Sequence, residues 1–132
     1  MKDVPEQFDW VKARAECSIL AVYQQLISEI EKDVERRNTL DTRAHARFSF
    51  KVIDANQCLV IRGDSGPLRI FKMADEFIAV LDRERNELLR ATLTLSKFGR
   101  CMLKVADEEL EHWQFLRTAL EPLFFESYDL LG

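Results

Sequence analysis

The chain begins with a long stretch in which apolar residues recur every three or four positions. Between Gln7 and Arg37 these positions fall on one side of a helical wheel. They are Phe8, Val11, Ala15, Ile19, Val22, Leu26, Ile30 and Val34. The spacing predicts one long amphipathic helix. Asn38, Thr39 and Asp41 interrupt the pattern, and we expect the helix to end there.

From Phe48 onward the apolar period changes from 3.6 residues to two. Apolar and polar residues alternate through the segment FSFKV, which is the pattern of a half-buried strand. Further short apolar runs follow, separated by turn-forming residues: CLVIR, LRIFKM, FIAVL, LLRATLTL and RCMLKV. The sequence therefore predicts an antiparallel meander of five to six strands joined by hairpins.

The helical period returns after Asp107, which is the expected N-cap of a last helix. Four apolar residues lie on one side of this helix: Leu110, Trp113, Leu116 and Leu120. Pro122 is expected to end or kink it. Together these patterns predict one α+β domain over residues 1–132, with a long N-terminal amphipathic helix, an antiparallel meander sheet and a C-terminal helix.

The segment Asp75 to Ala91, DEFIAVLDRERNELLRA, allows a second interpretation as a helix, because Phe77, Leu81 and Leu88 would share a face. The element order would then be similar to that of the acidic, dimeric chaperones of type III secretion. That resemblance implies a partner-binding protein. We favour a hairpin, because FIAVL is a fully apolar run typical of a central strand and RERN is a natural polar turn.

The composition is that of an ordinary globular domain. Hydrophobic residues make up 47% of the 132 residues and charged residues 32%, which excludes disordered and fibrous classes. The N-terminus lacks the apolar run of a signal peptide, and no stretch is long enough to cross a membrane. Cys17, Cys58 and Cys101 have no metal-type spacing, so we expect reduced thiols in a core and a cytoplasmic location.

The stretch RGDSGP, Arg62 to Pro67, contains two well-known short strings. The first, RGD, is the integrin-binding tripeptide, but nothing in the chain argues for export. The second, GDSG, is similar to the nucleophile loop of chymotrypsin-like proteases, but their histidine context is missing around His45 and the chain is too short for two barrels. We interpret the stretch as a hairpin turn.

Other chemistry is sparse. Glu109 and His112 have the spacing of a helical metal-binding pair, but no second pair accompanies them. The chain shows no phosphate-binding or dinucleotide-binding loop. We therefore predict no catalytic residue, no metal and no cofactor. A small enzyme with carboxylates and a tyrosine in a cleft remains an alternative.

The charges are distributed unevenly. Residues 1–42 carry a net −3, residues 43–106 a net +5, and residues 107–132 a net −6. Strand alternation puts Phe48, Phe50, Ile70, Leu93 and Leu103 on one face of the predicted sheet. The opposite face would then combine basic residues with Phe71, Ile78 and Val80. From this face we predict a set of ligand-binding residues: Arg47, Lys51, Arg69, Phe71, Arg90 and Lys104.

Three kinds of cover could lie on that basic-flanked face. The acidic last helix of the same chain could pack on it, a second copy or another protein could bind to it, or an anionic ligand could bind to it. The net charge of −4 makes nucleic acid an unlikely partner. A helix of about 31 residues would span roughly 46 Å and overhang its own sheet, which favours a homodimer. The sequence thus predicts an interaction or binding module without an evident catalytic site.

Overall fold

The computed structural model describes residues 9–40 and 47–126. It contains α1 (Trp10–Glu16), α2 (Ile19–Leu40), β1 (Phe48–Asp54), β2 (Gln57–Arg62), β3 (Leu68–Met73), β4 (Ile78–Leu81), β5 (Glu87–Leu95), β6 (Cys101–Val105), β7 (Glu108–Leu110) and α3 (His112–Phe125). The predicted α+β class is confirmed.

The N-terminal helical region is two helices rather than one, so the prediction of a single helix was wrong at this point. Cys17 ends α1, and the hydroxyl of Ser18 accepts a hydrogen bond from the backbone N–H of Ala21 at 3.2 Å, which caps α2. At its other end, α2 runs to Leu40, past the expected interruption. The side chain of Asn38 bonds to both the N–H and the carbonyl of Phe48, each at 2.8 Å.

The strands form one antiparallel sheet in the order β1 to β7, so each strand pairs with its neighbours in the chain. The segment Asp75 to Ala91 is the β4–β5 hairpin, as we favoured, and the element order shared with secretion chaperones is absent. The described residues form seven strands, slightly more than expected. The additional strand is β7, where the sequence predicted the first turn of a helix.

The last helix therefore begins later than predicted. Its N-cap is Glu111 rather than Asp107, and Glu111 and Gln114 form a reciprocal capping box. Asp107 lies in the turn between β6 and β7. Pro122 does not end the helix, which continues to Phe125.

Both long helices pack on the same face of the sheet, which we call the inner face. Side chains of α2 and α3 form the main core with residues from the sheet, among them Phe48, Val60, Phe71, Val80 and Leu103. The opposite, outer face carries a second and smaller apolar cluster. Its buried members all come from strands: Ile61, Leu68, Ile70, Ala79 and Leu81.

Three arginines from three different elements donate hydrogen bonds to backbone carbonyls of α3. Arg69 of β3 bonds to Ala119 at 3.2 Å, and Arg37 of α2 bonds to Phe124 at 2.9 Å. Arg62 of β2 bonds to the carbonyl of Glu126, just after the helix. Arg37 and Arg62 lie at the C-terminal end of α3, which carries partial negative charge, and Arg69 attaches the middle of the helix to the sheet.

A disulfide joins Cys17, at the end of α1, to Cys101, at the start of β6. The expectation of three reduced thiols was therefore wrong for these two residues. Their Cα atoms are 5.4 Å apart although 84 positions separate them in the chain, so only the folded structure reveals the pairing. Cys58 is a free and fully buried thiol, as expected. Burial raises the pKa of Cys58 to about 11.

The stretch RGDSGP is the β2–β3 turn, which confirms the turn interpretation. The N–H of Arg62 bonds to the carbonyl of Pro67 at 3.0 Å, and the N–H of Gly66 bonds back to the carbonyl of Arg62 at 3.1 Å. Gly63 has a φ of 67°, a left-handed conformation that glycine adopts at little cost.

Candidate functional site

The predicted ligand-binding residues do not all lie on one face. Residues that are directly opposite in neighbouring strands share a face of the sheet. Arg69 is opposite Val60, and Phe71 is opposite Cys58 and Val80, all of which belong to the main core. Arg69 and Phe71 therefore lie on the inner face and are buried, and the expectation that they join an exposed basic face was wrong.

The error came from β3, LRIFKM, whose first four residues are all buried. Alternation assigns every second residue to a common face but does not say which face is inner when both sets are apolar. The prediction put Ile70 on the same face as Phe48, and alternation then put Arg69 on the opposite face. Its guanidinium instead reaches the carbonyls of Ala119 and Leu68, and burial lowers its pKa.

The outer face carries a row of four residues that are directly opposite each other across four strands. Gln57 of β2 pairs with Lys72 of β3, Lys72 pairs with Ala79 of β4, and Ala79 pairs with Arg90 of β5. Adjacent Cβ atoms in such a row are about 5 Å apart. Two exposed cations, Lys72 and Arg90, therefore flank a residue whose side chain is a single methyl group.

A third cation reaches the same row from the β4–β5 turn. Arg85 donates a hydrogen bond of 3.0 Å to the side-chain oxygen of Gln57. Since Gln57 belongs to β2, the side chain of Arg85 must cross over the intervening β3. Arg85 has a φ of 66°, which is an unfavourable conformation for a residue with a Cβ atom.

Arg90 is held in place by two contacts. Its guanidinium pairs with Glu87 through bonds of 2.9 and 3.1 Å, and its central carbon lies 3.7 Å from the centroid of the Phe77 ring. Lys72, in contrast, has no side-chain partner among the described residues. The row thus combines one guanidinium held by its neighbours with one unpaired ammonium group, and both are exposed on the outer face where an anionic group could reach them.

The other predicted cations lie apart from this row. Lys51 is on the outer face of β1, opposite Leu59. Lys104 is on β6, opposite Glu109 of β7. Arg47 precedes β1 and is exposed. The structure therefore brings together Arg90 with Lys72 and Arg85. The last two were missed, although the alternation that picked out Arg90 would also have picked out Lys72 once the inner face of β3 was known.

A second candidate surface, which the sequence did not indicate, is a groove between α2 and α3. The groove has a volume of about 380 Å³. Three of its apolar lining residues are at least half exposed: Leu40 at 68%, Trp113 at 55% and Phe125 at 67%. Charged groups of both signs surround them, with Asp33 and Arg36 on α2 and with Arg117 and Glu121 on α3.

The remaining chemistry proposed from the sequence lies elsewhere. Glu109 is in β7 and His112 is the first residue of α3, so the two do not share a helix face. His112 instead has its Nδ1 atom 3.7 Å from a carboxylate oxygen of Glu29. Tyr23 is buried in the core, where its hydroxyl donates to the carbonyl of Phe71 at 3.3 Å and burial raises its pKa. His45 lies outside the described residues.

In the described part of the chain, no helix is both long enough and apolar enough to span a membrane. Comparisons of the chain with protein-family models, with curated proteins and with solved structures find no match.

Proposed function

We propose that this protein is a binding module that uses the outer face of its sheet to hold an acidic segment of a partner protein. The observation that supports this proposal is that one row across the outer face carries the exposed Lys72 and Arg90, with Arg85 bonded to Gln57 at the end of the same row. Cations spaced along one surface attract anionic groups to it.

The distribution of charge favours an acidic polypeptide over nucleic acid. Nucleic-acid binding draws most of its affinity from the neutralisation of many phosphates. This chain carries a net charge of −4, and the exposed Glu87 and Glu109 lie beside the outer-face cations Arg90 and Lys104. A small positive site on an acidic protein suits a few carboxylates rather than a long phosphate backbone.

The experiment measures binding of a fluorescein-labelled hexaglutamate peptide by fluorescence anisotropy, with a short DNA duplex as a second probe. The test variant carries Lys72→Glu and Arg85→Glu together. The matched control carries Lys32→Glu and Lys97→Glu, which change the net charge equally on α2 and on the β5–β6 turn. We expect the first pair to reduce peptide affinity at least tenfold and the second pair to change it less than threefold.

Two results would contradict the proposal. Equal losses of peptide affinity in both double variants would show that only the net charge of the protein matters. Tighter binding of the DNA duplex than of hexaglutamate would identify nucleic acid, rather than an acidic peptide, as the ligand. Because the affinity rests on ion pairs, it should also fall as the salt concentration rises from 50 to 300 mM. Over this range the distance at which charges attract each other falls to less than about 10 Å.

A second proposal is that two copies of the chain associate through the groove between α2 and α3. A symmetric dimer places a surface against itself, so the surface must be complementary to its own copy. Two features of the groove support this proposal: it combines a concave region with exposed apolar side chains, and it carries both acidic and basic residues on its walls.

Native mass spectrometry and light scattering test the dimer. We expect the protein to be dimeric and Trp113→Ala to shift it towards monomer. Phe98→Ala is the matched control, because Phe98 is 54% exposed, almost as much as Trp113, but lies on the β5–β6 turn outside the groove. A monomeric parent protein would contradict the proposal, as would equal dissociation of both variants.

The small enzyme and the cytoplasmic location stay predictions. The buried position of Tyr23 lends the enzyme no support. The Cys17–Cys101 disulfide counts against a reducing cytoplasm, because stable disulfides occur mainly in oxidising compartments.

A further inference from the structure

Strand β5 pairs with a different neighbour in each of its halves. Residues Glu87 to Ala91 pair with β4, whereas Thr92 to Leu95 pair with β6. Within the described part of the chain, no residue of β5 is paired on both sides. The half from Thr92 to Leu95 therefore has one open edge, on the side where β4 would continue.

The β3–β4 hairpin ends before it reaches this edge. The N–H of Ala74 bonds to the carbonyl of Phe77 at 2.9 Å and closes the hairpin, and Ile78 opposite Ala91 is the last pair of β4 with β5. The joint between α1 and α2 lies on the far side of the resulting gap. There the Sγ atom of Cys17 is 3.9 Å from the carbonyl oxygen of Thr94.

The gap contains a cavity of about 520 Å³, within the usual range of ligand sites. Leu93 and Leu95 of β5 and Ile19 of α2 supply apolar lining, while Arg14 and Arg90 supply positive charge. Four residues of strand span about 13 Å. The open edge is therefore long enough to pair with a short segment of another chain.

We propose that this gap binds an extended polypeptide segment that adds to the free edge of Thr92–Leu95 as a short strand. Backbone donors and acceptors at an open strand edge are best satisfied by the backbone of another extended chain. This inference goes beyond the outer-face proposal, because it concerns an open strand edge, which shares Arg90 with the outer-face row, and a different mode of recognition.

The charges around the gap define which segment fits best. Arg14 has no ion-pair partner among the described residues, whereas Arg90 lies over the ring of Phe77 and already pairs with Glu87. Of the described residues that line the cavity, Glu76 is the one acidic residue. Because side chains alternate along a strand, a segment with apolar residues at every second position and acidic residues between them matches both the leucines and the arginines.

The probe is a fluorescein-labelled hexapeptide of alternating valine and glutamate, measured by fluorescence anisotropy. A second peptide has the same side chains but methylated amide nitrogens along one edge, so it cannot donate backbone hydrogen bonds. We expect the first peptide to bind and the methylated peptide to bind at least tenfold more weakly. No binding of the first peptide, or equal binding of the two, would overturn the inference.

Variants then locate the bound peptide. Thr92→Trp fills the cavity and should weaken binding at least tenfold, whereas Thr92→Val, of similar size to the original residue, should leave it within threefold. The Lys72→Glu and Arg85→Glu double variant should also bind the peptide within threefold, and a tenfold loss there would move the site to the outer face. This variant distinguishes failure of the gap proposal from failure of the outer-face proposal.

Hydrogen exchange on the unaltered protein gives an independent readout that needs no variant to fold. The peptide should slow amide exchange at least tenfold within Thr92–Leu95. Slower exchange confined to other strands would refute strand addition at this edge.

Discussion

The guanidinium of Arg69 donates a hydrogen bond to the backbone carbonyl of Ala119, with 3.2 Å between Nε and oxygen. This bond connects the middle of the sheet to the last helix. A second bond runs from Arg69 to the carbonyl of Leu68 at 3.1 Å. A residue that alternation assigned to a ligand-binding surface is thus part of the attachment between sheet and helix.

We expect Arg69→Ala to lower the free energy of unfolding by about 2 kcal/mol, because it removes charge-assisted hydrogen bonds inside the protein and leaves buried carbonyls less well satisfied. Arg117→Ala is the control, since the exposed Arg117 has Glu121 on the same helix as its one ion-pair partner within residues 9–40 and 47–126, and it should cost less than about 0.5 kcal/mol. Urea unfolding measures both. Similar losses in the two variants would show that Arg69 has no special structural role.

The numbers of reactive thiols test the disulfide and the burial of Cys58 together. At neutral pH the native protein should react with a thiol reagent very slowly, because the raised pKa of Cys58 keeps it protonated and its side chain is inaccessible. Unfolding without a reductant should expose one thiol per chain, and unfolding with a reductant should expose all three. Three thiols before reduction would disprove the disulfide.

Reduction of the disulfide should lower stability considerably. The bond closes a loop between residues that are 84 positions apart, and such a constraint on the unfolded chain is worth about 4 to 5 kcal/mol in the loop-entropy model. Urea unfolding of the reduced and oxidised protein, or of Cys17→Ser with Cys101→Ser, gives the difference. A change below about 1 kcal/mol would show that native packing alone holds α1 and β6 together.

Arg85 and Ala106 both have a positive φ, but the outer-face proposal gives a role in binding to Arg85 and not to Ala106. Arg85 has a φ of 66° and Ala106 a φ of 54°. Glycine relieves such strain, so Arg85→Gly and Ala106→Gly should each keep or raise stability, by up to about 1 kcal/mol. Only Arg85→Gly should weaken binding of the hexaglutamate peptide. Loss of binding in Ala106→Gly would contradict this assignment.

Asp33 should make stability depend on pH in a defined direction. Burial, with a smaller effect of nearby Glu29, raises the pKa of Asp33 in the folded protein. The charge on Asp33 therefore lowers the stability of the folded protein at neutral pH. This loss of stability disappears as the pH falls through the raised pKa and the carboxylate becomes protonated. Asp33→Asn should stabilise the protein at pH 7 by less than about 1 kcal/mol, because the side chain is only partly buried and solvent screens its charge.

Thermal unfolding of Asp33→Asn at pH 7 and at pH 3 measures this effect, with Glu35→Gln on the same helix as the control. The stabilisation by Asp33→Asn should shrink at pH 3. A constant difference between the two pH values would show that removal of the charge is not its cause.

The element order and most strand positions could be predicted from the sequence, because they depend on local patterns. The switch from a period of 3.6 to a period of two at Phe48 separated helix from sheet, and the RERN turn identified the β4–β5 hairpin. The β2–β3 turn followed from its glycines and Pro67 in the same way.

The errors arose where contacts between distant residues override local patterns. The apolar period continues across Cys17 and Ser18, yet the helix is interrupted there, where Cys17 forms a disulfide with Cys101. Acidic residues after Asp107 are typical of a helix start, but pairing with β6 draws them into a strand. The outer-face row of Lys72, Ala79 and Arg90 depends on the register of three strands, which no local pattern specifies.

The change of partners along β5 also bears on how the molecule opens. The N-terminal half of β5 pairs with β4, and its C-terminal half pairs with β6. The two parts of the sheet are therefore connected by the continuous backbone of β5 and not by a position at which three strands are hydrogen-bonded side by side. Sub-global unfolding would accordingly separate two cooperative units, one containing β1 to β4 and the other β6 and β7, with the disulfide clamping the second unit to the helices. Ala91 is the last residue of β5 that pairs with β4, and the next residue, Thr92, is the first that pairs with β6.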